Sequence, residues 1–265
     1  MAYLDGIKRV EDLDLDGKRV FVRVDFNVPL DNGVITDDFR IRQAIPTIQY
    51  IIRNGGLPVV ASHLGRPKAN PSPEFSLKPV AERLSELLPE REVIFAEDCI
   101  GDGVVEQSKR LEPGQILLLE NLRFYEEEEG KPRGKFNSDE EKAAAKKALK
   151  ESQKKFAESL AALADVYVND AFGTCHRAHA SMATMVPFFG ENKGCGYLLE
   201  KEIKFLGNIV YDPEHPFVAV MGGAKVSDKI GVIESLIEKC DQICIGGAMA
   251  YTLLSATGVD VASAR

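Results

Sequence analysis

The chain has 265 residues, of which 45% are hydrophobic and 28% charged, and its formal net charge is −8. That balance fits a folded globular protein with room for one large or two smaller domains. The acidity argues against general nucleic-acid or membrane-surface binding, which needs a basic footprint.

In chain order, residues 19–24 read as a first strand that stops at Asp25-Phe26-Asn27. Asp37 and Asp38 open a helix to about Arg53, closed by Gly55-Gly56. Residues 58–62 form a buried strand ending at His63-Leu64-Gly65-Arg66. A proline-rich loop (Pro67, Pro71, Pro73) leads to a helix over 77–88. Residues 92–96 are a strand, 103–109 a short helix and 116–119 a strand that stops at Glu120-Asn121-Leu122-Arg123. The four glutamates at 126–129 read as a solvated loop. Ser138-Asp139-Glu140-Glu141 is a capping box for the longest helix, which runs to about Ala164. The strand 165–168 leads through Asn169-Asp170 to His176-Arg177.

The series breaks at residues 186–190, and 198–209 has the spacing of an amphipathic helix that links two domains. Strand 217–221 then enters Gly222-Gly223-Ala224-Lys225, followed by a helix over 227–239, strand 242–245 and a helix opening at Gly246-Gly247. Strands separated by helical crossovers imply a parallel sheet covered on both faces. The last two βα units either extend the first sheet or begin something longer.

No apolar stretch approaches the ~20 residues of a membrane span, and the first residues lack the basic-then-apolar pattern of a secretory signal. Five cysteines form no CxxC pair and there are four histidines, so a structural zinc site is not expected. A cytoplasmic enzyme with free thiols is the expectation.

In open α/β sheets, ligands sit beyond the carboxyl ends of the strands. Arg66, Arg123 and Arg177 each follow a strand-like run and should converge there, a pocket for an anion of more than one charge such as a phosphorylated acid. Gly222-Gly223-Ala224-Lys225 lies at a strand-to-helix turn, where glycines let a phosphate approach backbone N–H groups. It matches neither a Walker A loop nor GxGxxG, and a tight turn that merely needs glycine reads the same way. Lys225 and Lys229, four apart at a helix start, favour the phosphate.

Five motifs carry a resemblance. Arg23-Val24-Asp25-Phe26-Asn27-Val28-Pro29, His63-Leu64-Gly65-Arg66-Pro67, Glu120-Asn121-Leu122-Arg123-Phe124, Asn169-Asp170-Ala171-Phe172-Gly173 with His176-Arg177-Ala178-His179, and Gly222 through Lys229 resemble phosphoglycerate kinase, in order and without a large gap. The resemblance implies an α/β fold of two Rossmann-like parallel-sheet α/β/α lobes, the second incomplete in this chain. Residues 1–186 would be the 3-phosphoglycerate-binding domain, and 187–265 the interdomain helix with the first part of the nucleotide-binding domain.

It also implies the reaction: reversible phosphoryl transfer between ATP and the carboxylate of 3-phosphoglycerate, giving ADP and 1,3-bisphosphoglycerate, by a hinge-bending monomer of glycolysis. Asp25, Asn27, His63, Arg66, Arg123, His176 and Arg177 are then expected around the acid, and Arg40 at the transferring group with Lys229. Gly222, Gly223, Ala224, Lys225, Lys229, Gly246 and Gly247 are expected around the nucleotide. Mg²⁺ would accompany ATP or ADP, its protein ligand expected outside this chain. Residues 1–265 alone are expected to bind the acid without useful turnover, the alternative being a truncated, non-catalytic phosphoglycerate-binding module.

Overall fold

A computed structural model describes residues 6–67, 71–223 and 226–262. In chain order the elements are β1 Arg19–Val24, β2 Leu30–Asp31, β3 Val34–Ile35, α1 Phe39–Arg53, β4 Leu57–Ala61, α2 Lys78–Leu87, β5 Val93–Phe95, α3 Asp102–Lys109, β6 Ile116–Leu118, α4 Glu126–Glu129, α5 Asp139–Ala161, β7 Val166–Asp170 and β8 Lys193–Cys195. They continue with α6 Tyr197–Tyr211, β9 Val218–Gly222, α7 Ile230–Ile237, β10 Gln242–Gly246 and α8 Ala248–Ala256. The chain divides into two compact units, residues 2–202 and 203–265, the break falling within α6.

The first unit is a six-stranded sheet in the order β5-β6-β4-β1-β7-β8, every pairing parallel. Its strands are apolar because both faces are covered. Side chains alternate across β1: Val20, Val22 and Val24 pack with Ile41, Ile48 and Ile51 of α1. Phe21 points the other way, into a cluster with Phe156, Ala157 and Leu160 of α5. By the same period Arg23 belongs on the face of Phe21, and it is fully buried.

Three expectations are corrected. Residues 126–129 are not a solvated loop: they form the single-turn helix α4, and Glu128 is 0% exposed. The expected helix over 227–239 is divided into a 3₁₀ turn, Ser227–Lys229, and α7. Past the break at 186–190 the first sheet gains another strand, β8, paired with β7. The capping box at Ser138 is only half formed. Ser138 Oγ accepts from the Glu141 N–H at 3.1 Å, while the Glu141 carboxylate accepts from Asn137 N at 2.7 Å.

In the second unit β9 and β10 form a parallel pair, with Gly222 level with Gly246. Val220 there is 82% exposed, whereas Ala219 and Met249 are buried. All five cysteines carry free thiols. Among the described residues no helix is long and apolar enough to cross a membrane.

The carboxyl end of β7 is tied to the start of α6 by a buried carboxylate. Asp170 Oδ1 accepts from the Leu198 and Leu199 N–H groups at 2.9 and 3.1 Å, capping the first turn. Gly196 has to be glycine for this approach, because a Cβ there would lie 2.5 Å from the Asp170 carboxyl. Burial pushes Asp170 up from 3.8 to about 6, against the hydrogen bonds from Thr47, Leu199 and Leu198.

The folded protein therefore holds this proton more tightly than the unfolded chain. The associated stability is fully present below about pH 3.8 and is lost as pH rises to about 6. Asp170→Asn keeps an oxygen for the cap and removes the charge. Far-UV circular dichroism of urea unfolding should show the variant gaining on the parent by about 3 kcal/mol between pH 4 and 7. A difference that does not change with pH would refute the assignment.

Candidate functional site

β1, β4 and β7 are in register at their carboxyl ends, with Arg23 level with Ala61 and with Asn169, so the loops that follow emerge side by side. They enclose a cavity of about 260 Å³. Arg40, Arg66, Arg123 and Arg177 line it with Asp25, Asn27 and His63, and Gly65, Gly173 and Thr174 complete the wall. The three arginines that follow strand-like runs thus converge at one sheet edge. His176 does not join them: it is exposed and outside the lining.

Turn chemistry holds these loops. Asp25 Oδ1 accepts from Asn27 N at 3.2 Å, and Asn27 Oδ1 accepts from Gly65 N at 2.8 Å, fastening the β1 loop to the β4 loop. Asn121 Oδ1 accepts from Leu64 N at 3.2 Å and Arg123 N at 3.0 Å, and its Nδ2 donates to Leu64 O and Phe75 O. Arg123 Nη1 donates to Gly65 O at 2.8 Å. Gly65 has φ +61°, and a Cβ would lie 2.5 Å from the Phe75 ring, so both backbone and space require glycine.

The cations are incompletely neutralised. Arg40 Nη1 donates to Asp25 Oδ2, but no carboxylate among the described residues pairs with Arg66 or Arg177. Burial lowers the Arg123 pKa; Glu129 opposes that and the Arg23 charge adds to it. Glu129 stands 3.6 Å from Arg123 Nε, too far for a hydrogen bond. Nε of Arg123 and Nε of Arg177 are buried without an acceptor. Buried donors left unmatched beside a cavity call for an anionic acceptor.

His63 is 3% exposed, with Nδ1 3.2 Å from Arg23 Nη2 and Nε2 3.9 Å from Asp25 Oδ1. Burial, then the charges of Arg23 and Arg123, hold its pKa far below the usual imidazole range. It is neutral at pH 7.

Behind this wall lie two residues that the sequence reading did not place at the site. Arg23 Nε donates to Ser181 Oγ at 2.7 Å and Nη1 donates to Val24 O. Glu128 accepts from Ser181 N at 3.0 Å and Ser181 Oγ at 2.6 Å, and its Oε1 is 3.5 Å from Arg23 Nη2. Burial works against its ionisation, but His179, Arg23 and Ser181 outweigh that and keep its carboxyl below the usual range. A charged residue at an inward position of an apolar strand was the available signal for Arg23. Nothing in four consecutive glutamates singles out Glu128.

In the second unit Gly222, Gly223, Gly246 and Gly247 gather at the carboxyl edge of the strand pair. Met249 N donates to Gly223 O at 3.0 Å. Lys229 Nζ donates to Gly222 O, so this lysine folds back over the turn. Ala224 and Lys225 lie outside the described residues.

Comparison with protein families matches residues 10–265 to the one described as Phosphoglycerate kinase. The chain belongs to the phosphoglycerate kinase family. It is 54% identical to phosphoglycerate kinase of Porphyromonas gingivalis over 94% of its own length and 60% of that protein's. It is also 54% identical to that of Anaeromyxobacter sp. (strain Fw109-5), over 97% and 60%. Among solved structures, phosphoglycerate kinase from Coxiella burnetii superposes with a TM-score of 0.77 at 37% identity, over 97% of this chain and 59% of that one. The chain thus spans about 60% of the length of the relatives it matches.

An arginine cluster of this kind should hold a free oxyanion. Sulfate or phosphate is expected to raise the melting temperature of the parent protein, and Arg123→Met should need about tenfold more anion for the same rise. Identical titrations for parent and variant would show that the anion sits elsewhere.

Proposed function

We propose that the first lobe, taken as residues 1–186, binds the acid substrate of a phosphoglycerate kinase. Residues 187–265 then supply the interdomain helix and the first part of the nucleotide-binding lobe. The reaction is reversible phosphoryl transfer, 1,3-bisphosphoglycerate and ADP giving 3-phosphoglycerate and ATP. In glycolysis it runs toward ATP. The observation that carries the reading is the cavity with its four arginines, two of them holding buried N–H groups without acceptors.

Arg66, Arg123 and Arg177 suit the 3-phosphate, and neutral His63 offers a hydrogen bond without adding charge. Asp25 and Asn27 face the hydroxyl and carboxyl end. Arg40 meets the transferring group and serves as a catalytic residue together with Lys229. The acceptor carboxylate is already ionised at neutral pH, so no general base is required. What remains is positioning, exclusion of water and neutralisation of charge on a loose transition state.

The glycines after β9 and β10, with Lys225 and Lys229, suit nucleotide phosphates at the start of a helix. Mg²⁺ accompanies ATP or ADP and supplies charge neutralisation between the phosphates. Among the described residues no group of three His, Cys, Asp or Glu is placed to hold a metal ion, so no step is assigned through it. Hinge closure of two lobes, a monomeric state and a cytoplasmic location complete the proposal, with no nucleic-acid or membrane partner.

Calorimetry on this chain with 3-phosphoglycerate should show one site whose affinity falls as salt is added, because it rests on charge pairing. A coupled ATP assay run alongside separates binding from turnover. In a preparation that turns over, Arg40→Ala should lower kcat by about 10²–10³ with a smaller change in acid affinity. No heat on mixing with the acid would overturn the site assignment. A raised KM at unchanged kcat would make Arg40 a binding residue only.

A further inference from the structure

We infer that Arg23 and Glu128 are positioning residues that hold His63 in the tautomer carrying its proton on Nε2, the nitrogen facing the cavity. The consequence for affinity rests on the acid-binding reading above; the tautomer itself does not.

A guanidinium has donors and no acceptor, so Arg23 Nη2, 3.2 Å from His63 Nδ1, makes Nδ1 the acceptor. The ring is neutral, and a neutral imidazole with an accepting Nδ1 has its proton on Nε2. That nitrogen looks toward Asp25 Oδ1 at 3.9 Å, on the cavity wall. The other charged and titratable groups acting on the ring are Arg123, His179 and Arg40, and the arginines, with Arg23, are cations that favour the neutral form.

Arg23 cannot occupy this place alone. It is 0% exposed, and an unpaired buried cation is costly. Glu128, also 0% exposed, is the buried carboxylate beside it, 3.5 Å from Nη2. Ser181 couples the two, accepting from Arg23 Nε and donating to Glu128 Oε1 at 2.7 and 2.6 Å. The chain of contacts runs from the core to the cavity: Glu128, Arg23, His63. Without it the imidazole is free to put its proton on Nδ1 and turn a lone pair toward a bound anion. A donor would become a repulsive acceptor.

The test is ¹⁵N NMR of the histidine-labelled chain, without ligand, with 3-phosphoglycerate calorimetry on the same samples. The parent should show His63 as a single Nε2–H tautomer from pH 5.5 to 8. Glu128→Gln should show mixed His63 tautomers and bind 3-phosphoglycerate about tenfold more weakly. A parent-like Nε2–H signature in Glu128→Gln overturns the inference, whatever its affinity. Should Glu128→Gln not fold, His63→Gln and His63→Asn decide, since the longer amide places its polar atoms near Nε2 and the shorter near Nδ1. Gln should retain affinity within about threefold and Asn should lose about tenfold; equal losses overturn the inference. A parent that shows the tautomer but binds no acid refutes the functional reading and leaves the tautomer intact.

Discussion

An ionised side chain inside a sheet covered on both faces must find its counter-charge there, and Arg23 sets this condition at the middle of the first unit. It lies one residue from the end of β1, between β4 and β7, and has no route to water. The compensating carboxylate comes from α4, after β6, and the coupling hydroxyl from Ser181, beyond β7. Meeting one electrostatic requirement thus draws the segments after β6 and β7 to one place. Removing a single partner of such a pair typically costs about 3–5 kcal/mol, because the other charge is left buried. Arg123 and Arg177 of the cavity sit on those same segments, so their placement depends on this pair.

The strand runs were readable because strands buried on both faces are nearly continuous apolar stretches. Their polar endings were readable for a related reason: a chain leaving the sheet at its carboxyl edge exposes whatever follows. The convergence of Arg66, Arg123 and Arg177 follows from those two facts with parallel topology. Four consecutive glutamates defeat the same reasoning, since no composition argument says which one turns inward; only the demand of Arg23 selects Glu128. His176 and Arg177 are adjacent, yet only Arg177 lines the cavity, and adjacency in a loop carries no period from which to choose. The strand β8 was missed because Lys193-Gly194-Cys195 has none of the β-branched apolar character by which strands are recognised.

The two units differ in how much apolar surface each covers by itself. In the first, both faces of the sheet carry extended buried clusters. In the second, one strand pair leaves Val220 and Ile237 at 82% and 63% exposure. The arginine-lined cavity therefore rests on a fully packed scaffold, while the glycine turns after β9 and β10 sit on a lightly packed one. Local opening free energies follow buried contacts, so amide exchange in the second unit should be the faster.

Two buried carboxylates show how the first unit uses charge at the sheet edge. Glu128 has a guanidinium and hydrogen-bond donors around it and stays ionised below the usual range. Asp170 is buried to a similar degree, but among the described residues it has the backbone N–H groups of a helix start and no paired cation, and its pKa rises to about 6. Hydrogen bonds and a helix terminus alone do not offset the loss of water around a carboxylate here; a full opposite charge does. The same comparison explains the cavity. Arg123 is buried there and Arg177 half-buried, each with an Nε–H that meets no acceptor, and Asp25 answers only Arg40 by direct hydrogen bond. The remaining imbalance is positive and is concentrated where N–H groups lack acceptors, which is the physical definition of a site for a multiply charged anion.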